Sequence, residues 1–168
     1  TLIRSTGMSG RTPGPALERA SELIQTDSRS DLFLSAVFGL LDTATGRLVY
    51  ANAGHNPPIL LRARTGKVER LNAKGIILGV FEPIELEERE IDIEPGDMLV
   101  FYTDGLTEME NEQGQQFGME RLLETLRVSA GTNAEQAVTA ISTAVSVFTG
   151  GASPSDDITF FIVKRLVY

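Results

Sequence analysis

An α+β fold with antiparallel sheet is what this sequence predicts. Three observations carry that reading: short apolar runs separated by Gly-containing turns up to residue 102, two amphipathic helical segments after residue 118, and a final apolar run at 158–163. At 168 residues with 42% hydrophobic content, the chain suffices for one domain with a core of its own and is short for two, so 1–168 is read as a single domain.

Residues 1–14 hold Gly7, Gly10, Pro13 and Gly14 among Ser, Thr and Arg, and read as a mobile loop after a helical turn at 1–4. Pro15 suits a first helical position, and Leu17, Ala20, Leu23 and Ile24 share one face, which predicts a helix over 15–26. Residues 33–41 and 47–53 are β-rich and meet through Asp42-Thr43-Ala44-Thr45-Gly46, a hairpin spacing. A second hairpin joins 59–63 to 67–71 around Thr65-Gly66. In 84–93, Ile84 and Leu86 have one parity while Ile91 and Ile93 have the other, so a strand there requires a bulge near 87–90. The glutamates of this stretch read as a solvated strand face. Glu94-Pro95-Gly96-Asp97 predicts a type II turn into a strand at 98–102. A polar loop over 108–118 precedes a helix marked by Met119, Leu122, Leu123 and Leu126. A second helix, marked by Ala134, Ala137, Val138, Ile141, Val145 and Phe148, opens with a capping box from Thr132 to Glu135 and stops at Gly150-Gly151. Residues 156–164 return as a strand.

The formal charge of −8 argues against a nucleic-acid partner, because phosphate backbones need a basic face. Absence of Cys excludes disulfides, thiolate metal sites and a cysteine nucleophile, and fits a reducing compartment such as the cytoplasm. No apolar stretch approaches membrane-spanning length.

Two carboxylates stand where an apolar strand meets a loop: Asp104, just after 98–102, and Asp156 with its neighbour Asp157, just before 158–163. If adjacent antiparallel strands bring Asp104 and Asp156 together, they form a hard-oxygen site suited to Mg²⁺ or Mn²⁺. Taken singly, Asp104 reads equally as the aspartate of an Asp-Gly turn, and Asp156 as a loop cap. Such a site usually serves phosphoryl or hydrolytic chemistry. Without Cys, with one His, and with neither an Asp-x-Asp pair nor a Gly-x-x-x-x-Gly-Lys loop, what remains is hydrolysis by metal-activated water with no covalent intermediate.

Three motifs stand in one order: Asn52-Ala53-Gly54-His55-Asn56-Pro57-Pro58, Tyr102-Thr103-Asp104-Gly105-Leu106-Thr107-Glu108 and Ser155-Asp156-Asp157-Ile158-Thr159. In order and spacing they resemble the bacterial serine phosphatases of the SpoIIE and RsbU type, members of the metal-dependent, protein phosphatase 2C-like superfamily. The resemblance runs from about residue 31 to 165. It implies a sandwich of antiparallel sheets flanked by helices, and removal of phosphate from phosphoserine or phosphothreonine on a small anti-anti-sigma (STAS) protein with Mn²⁺ or Mg²⁺. It also implies that Asp104 and Asp156 are metal ligands and catalytic residues, with Asp157 in a weaker, supporting place beside them. Gly105 belongs with the metal residues, its small size letting the backbone turn tightly beside the ion.

Two departures qualify the match. His55 stands where many eukaryotic relatives carry an aspartate linked to an additional metal, and its softer imidazole argues against a third metal here; it reads as a structural residue of the turn from Gly54 to Pro57, shaped also by Asn52 and Pro57-Pro58, with ligation or proton transfer the other role open to it. The family's early Asp-x-x-Gly-His/Lys-Gly segment, whose Asp bridges two metals, is absent; Asp27 and Asp31 lack the glycines that follow it. The chain is therefore expected to be an N-terminally truncated phosphatase domain lacking its first strands, with an incomplete two-metal site that binds Mn²⁺ weakly and hydrolyses little. The other reading is an impaired pseudophosphatase that docks a STAS partner without turnover. Exposed sheet edges would in either case favour a homodimer.

Overall fold

The computed structural model describes residues 12–27, 33–81, 83–150 and 157–167. In chain order the elements are α1 (Pro13–Asp27), β1 (Ala36–Leu41), β2 (Arg47–Ala53), β3 (Ile59–Leu61), β4 (Val68–Arg70), β5 (Glu88–Asp92), β6 (Met98–Tyr102), the single turn α2 (Asp104–Thr107), α3 (Gly118–Val128), α4 (Ala134–Thr149) and β7 (Phe160–Lys164). They fall into two compact units, one drawn from Thr1–Pro57 and Asn72–Asp92, the other from Pro58–Leu71 and Ile93–Tyr168.

The first unit is a three-stranded antiparallel sheet in the order β1-β2-β5 with α1 beside it. Asp42 and Gly46 close the β1–β2 hairpin through Asp42 N–H to Arg47 O (2.9 Å) and Gly46 N–H to Asp42 O (2.7 Å). Leu17 and Ala20 of α1 are buried against Ala51 and Ala53 of β2 and against Leu78 and Leu86, so the small residues of β2 let the helix lie close to the sheet. The helix starts at Pro13, two residues before the sequence predicts, because Pro13 itself suits the first turn and the Glu88 carboxylate accepts the Gly14 N–H at 2.7 Å. Residues 1–11, and Asp31 with them, lie outside the described residues; Asp27 ends α1.

The strands β3, β4 and β7 are shorter than expected, and so are β1 and β5. Leu34 makes only an isolated bridge to Leu78, with β1 beginning at Ala36. The bulge at 87–90 does not occur: β5 begins at Glu88 and pairs with β2 in unbroken register from Glu88 opposite Ala51 to Asp92 opposite Arg47. The parity conflict is resolved because 84–87 is not strand; Leu86 N–H bonds Glu18 Oε1 at 2.9 Å and Glu87 N–H bonds Lys74 O at 2.9 Å. Glu88, Arg89 and Glu90 are exposed as the solvated-face reading requires, with Arg47 paired to Glu90 and Arg89 to Glu87.

Gly75 marks a close backbone approach in this unit. A Cβ there would stand 1.9 Å from Asn52 O and 2.8 Å from Leu86 Cδ2. Gly75→Ala is expected to cost about 3 kcal/mol, the upper end of the overpacking range, because a backbone carbonyl cannot swing away as a side chain can. A urea midpoint equal to that of the unsubstituted protein would contradict this.

The second unit is a four-stranded antiparallel sheet in the order β4-β3-β6-β7, covered on one face by α3 and α4. Ile59, Leu61, Met98, Val100 and Tyr102 point into one core with Leu122, Leu126, Ala137, Ile141 and Val145, as the helical and alternating patterns require. Phe117 packs edge-on to Phe148, over which the Arg121 guanidinium lies at 4.5 Å. The capping box of α4 sits one residue later than predicted, between Asn133 and Gln136, whose side chains each accept the other's backbone N–H (2.8 and 3.1 Å). The Thr132 hydroxyl is instead occupied by Ser129 O at 2.8 Å. Gly150 ends α4 at φ 62.

The Pro95-Gly96 turn forms as predicted, with Gly96 at φ 92 and Asp97 N–H on Glu94 O at 3.0 Å. Its Asp97 does more than turn the chain. The carboxylate is 1% exposed and accepts Arg62 Nη1 (2.9 Å), Ala63 N–H (2.9 Å) and Glu94 N–H (3.0 Å). Arg62 also donates to Glu69 Oε1 at 2.9 Å. Burial pulls the Arg62 pKa down, but the bonds to Glu69 and Asp97 outweigh it and hold it above the ordinary value. The bond from Arg62 likewise holds the Glu69 carboxyl below its ordinary 4.5. A carboxyl with a lower pKa folded than unfolded stabilises the fold above its unfolded pKa, and that contribution disappears as pH falls through the folded value. Thermal melts below pH 4.5 should therefore fall less steeply in Glu69→Gln than in the unsubstituted protein.

Candidate metal centre

β6 and β7 pair antiparallel from Met98 opposite Lys164 to Tyr102 opposite Phe160, so the chain leaving β6 and the chain entering β7 lie side by side. Asp104 follows on the first of these chains and Asp157 precedes β7 on the second. The pairing the sequence required of neighbouring strands is therefore present at this end of the sheet. Asp156, the other predicted ligand, lies outside the described residues.

Beyond the last ladder pair, one residue continues the connection. Thr103 N–H donates to Thr159 O at 2.9 Å, and Thr159 N–H donates back to Thr103 Oγ1 at 3.1 Å. Just before them, the rings of Phe101 and Phe161 stack at 4.5 Å, nearly parallel at 7°. On the core face Tyr102 is buried, and burial raises its phenol pKa despite the nearby Arg70, so it stays neutral.

Asp104 does not sit in a plain loop as expected but opens α2, a turn held by Glu108 N–H on Asp104 O at 2.8 Å and by the Thr107 hydroxyl on the same oxygen at 3.1 Å. Its carboxylate is exposed; Oδ1 accepts the Gly105 N–H at 3.0 Å, and no Lys or Arg among the described residues pairs with it. Gly105 is buried in the helical turn and is absent from the glycines of positive φ, so the tight turn expected of it is made by ordinary helical backbone. Asp157 is exposed, and its carbonyl lies 3.4 Å from the Thr103 hydroxyl. Among the described residues no three His, Cys, Asp or Glu side chains gather into a metal cage.

In the other unit, His55 has the structural surroundings the sequence suggests. Asn52, 4% exposed, clasps it from both sides: Asn52 Oδ1 accepts the His55 N–H at 2.8 Å and Asn52 Nδ2 donates to His55 O at 2.9 Å. Ser35 Oγ lies 3.1 Å from the ring Nδ1, a partner that sequence distance concealed.

A family model for stage II sporulation protein E (SpoIIE) matches residues 1–166. The chain belongs to the SpoIIE family. Among relatives of this SpoIIE-family chain, protein IcfG of Synechocystis sp. is 33% identical over 134 residues, 80% of this chain and 21% of IcfG. Phosphoserine phosphatase RsbU of Bacillus subtilis is 26% identical over 106 residues, 63% of this chain and 32% of RsbU. The chain thus spans between a fifth and a third of these curated relatives. The SiaA-PP2C domain of Pseudomonas aeruginosa superposes with a TM-score of 0.80 at 20% identity, over 97% of this chain and 65% of that domain. The SpoIIE-family chain therefore has the α+β, protein phosphatase 2C-like fold. None of its described helices is long and apolar enough to cross a membrane.

Proposed function

We propose that this chain supplies the metal-dependent catalytic region of a bacterial protein-serine phosphatase, hydrolysing phosphoserine on an anti-anti-sigma regulator of the STAS type in the cytoplasm. The observation that carries the reading is the β6–β7 pairing, which sets Asp104 and Asp157 at the same end of adjacent strands within a SpoIIE-family fold. The phosphoserine phosphatase RsbU among the relatives supports the reaction, and the phosphatase domain of Bacillus subtilis SpoIIE presoaked with Mn, at TM-score 0.68 and 14% identity over 98% of this chain, supports the fold that hosts it.

The donor chemistry fits a hard divalent cation. Asp104 offers an exposed carboxylate with one oxygen on Gly105 N–H and no cationic partner among the described residues, and Asp157 brings further acidic oxygen to the neighbouring strand end. Asp104, Gly105, Asp156 and, more weakly, Asp157 would hold Mn²⁺ or Mg²⁺. When bound, such a cation supplies Lewis acidity and offsets charge building on the phosphoryl oxygens. The chain's own part is to hold Asp104 and Asp157 at the ends of two hydrogen-bonded strands and to leave both exposed, so that a phosphoserine side chain can approach. Water then displaces the serine oxygen at phosphorus, forming one P–O bond and breaking the other. A second copy can add along β1, which among the described residues is an edge strand of its sheet and where Leu40 is 43% and Leu41 37% exposed.

Release of phosphate from phosphoserine peptides, measured with Mn²⁺ and again after chelation, tests the reading. Metal-dependent hydrolysis that Asp156→Ala abolishes is expected. Hydrolysis indifferent to chelator, or partner binding with no hydrolysis at all, would overturn it.

A further inference from the structure

Thr103 occupies the N-cap position of α2, yet its side chain makes no cap hydrogen bond. A threonine there ordinarily turns its hydroxyl onto an amide of the following turn, a contribution of about 1 kcal/mol. This hydroxyl faces across the sheet instead. Oγ1 accepts the Thr159 N–H at 3.1 Å and lies 3.3 Å from Thr159 O and 3.4 Å from Asp157 O. With the Thr103 N–H to Thr159 O bond of 2.9 Å, it forms a two-way link one step past the last ladder pair. Asp104 is the next residue on one chain and Asp157 stands two residues before Thr159 on the other.

We propose that Thr103 is a positioning residue of the candidate metal centre: its hydroxyl fixes the main chain at Asp157–Thr159 against the end of β6, setting where Asp157 stands relative to Asp104. The proposal rests on the metal-site reading above. Without the hydroxyl, Thr159 N–H loses its acceptor, and among the described residues the link beyond the ladder is reduced to the Thr103 N–H to Thr159 O bond. Looser ligands bind more weakly; losing a group that orients a ligand typically costs 10-fold to 100-fold in metal affinity.

The test compares Thr103→Val, which keeps the β-branched shape and removes the hydroxyl, with Thr103→Ser, which keeps the hydroxyl. Mn²⁺ binding is measured by calorimetry, and amide exchange at Thr159 in the metal-free protein. Expected are affinity weakened about tenfold or more in Thr103→Val, near-unchanged affinity in Thr103→Ser, and faster Thr159 exchange in Thr103→Val alone. Unchanged Mn²⁺ affinity in Thr103→Val overturns the positioning role while leaving the metal site standing. Equal weakening in both variants also overturns it, since packing rather than the hydroxyl then matters. Absence of Mn²⁺ uptake by the unsubstituted protein overturns the metal-site reading and this proposal with it.

Discussion

Asp97→Ala is expected to lower the stability of the protein by about 3 to 5 kcal/mol, the cost of removing one partner of a buried ion pair. The reason is not the pair alone. The substitution leaves Ala63 N–H and Glu94 N–H without their acceptor in a site where Asp97 is 1% exposed, and each orphaned donor adds a desolvation cost. Arg62, still bonded to Glu69, retains part of its compensation, which holds the loss within that range. Asp97→Asn should fall between, because one amide oxygen can accept while the NH₂ group faces a donor. Denaturant midpoints measure both, and a loss below about 1 kcal/mol for the alanine variant would refute the argument. Metal affinity per folded molecule should not change: the five residues of β6, at about 3.3 Å each, separate Asp97 from Asp104.

Asp104→Ala is expected to do the reverse. Its carboxylate is exposed, and its hydrogen bond reaches only its own neighbour Gly105, so folding should be nearly indifferent to its removal. Mn²⁺ affinity, by contrast, should fall more than about 100-fold, beyond the cost of losing a merely orienting group, and Mn²⁺-dependent hydrolysis of a chromogenic phosphate ester should fall to background. Asp104→Asn separates charge from shape. It preserves an oxygen for Gly105 N–H and should still fail to bind the cation. An alanine variant that binds Mn²⁺ and hydrolyses at the original rate would remove Asp104 from the site. The contrast between Asp97 and Asp104, two carboxylates at opposite ends of one strand, tests stability and chemistry separately.

Much of this was legible in the sequence, for identifiable reasons. Met98, Val100 and Tyr102 alternate with a core on one side, and Ala137, Ile141 and Val145 recur at helical spacing, so local pattern and tertiary burial agree. Asp104 stood out as a candidate because an apolar strand ends two residues before it. The failures were of another kind. Thr132 and Asn133 are both able caps one residue apart, and only the competing bond from Thr132 to Ser129 decides between them. The missing bulge had no local signature, since 84–87 is held by Glu18 and Lys74 from other segments. Thr103, Asp97 and Ser35 act through partners 20 to 56 residues away, and their neighbours in sequence give no sign of it.

The irregular stretch between β4 and β5 takes two of its backbone partners from the side of a helix. Ser21 Oγ accepts Gly79 N–H at 2.9 Å, Glu18 Oε1 accepts Leu86 N–H at 2.9 Å, and Glu88 returns a carboxylate to the first turn of α1. Side chains one turn apart on α1 thus stand in for a sheet neighbour. This makes the stretch a dependent of the helix: unwinding α1 withdraws two acceptors at once, and the loop loses its anchors in the same event. The order of Gly79 and Leu86 is borrowed, and it lasts only as long as α1 remains folded.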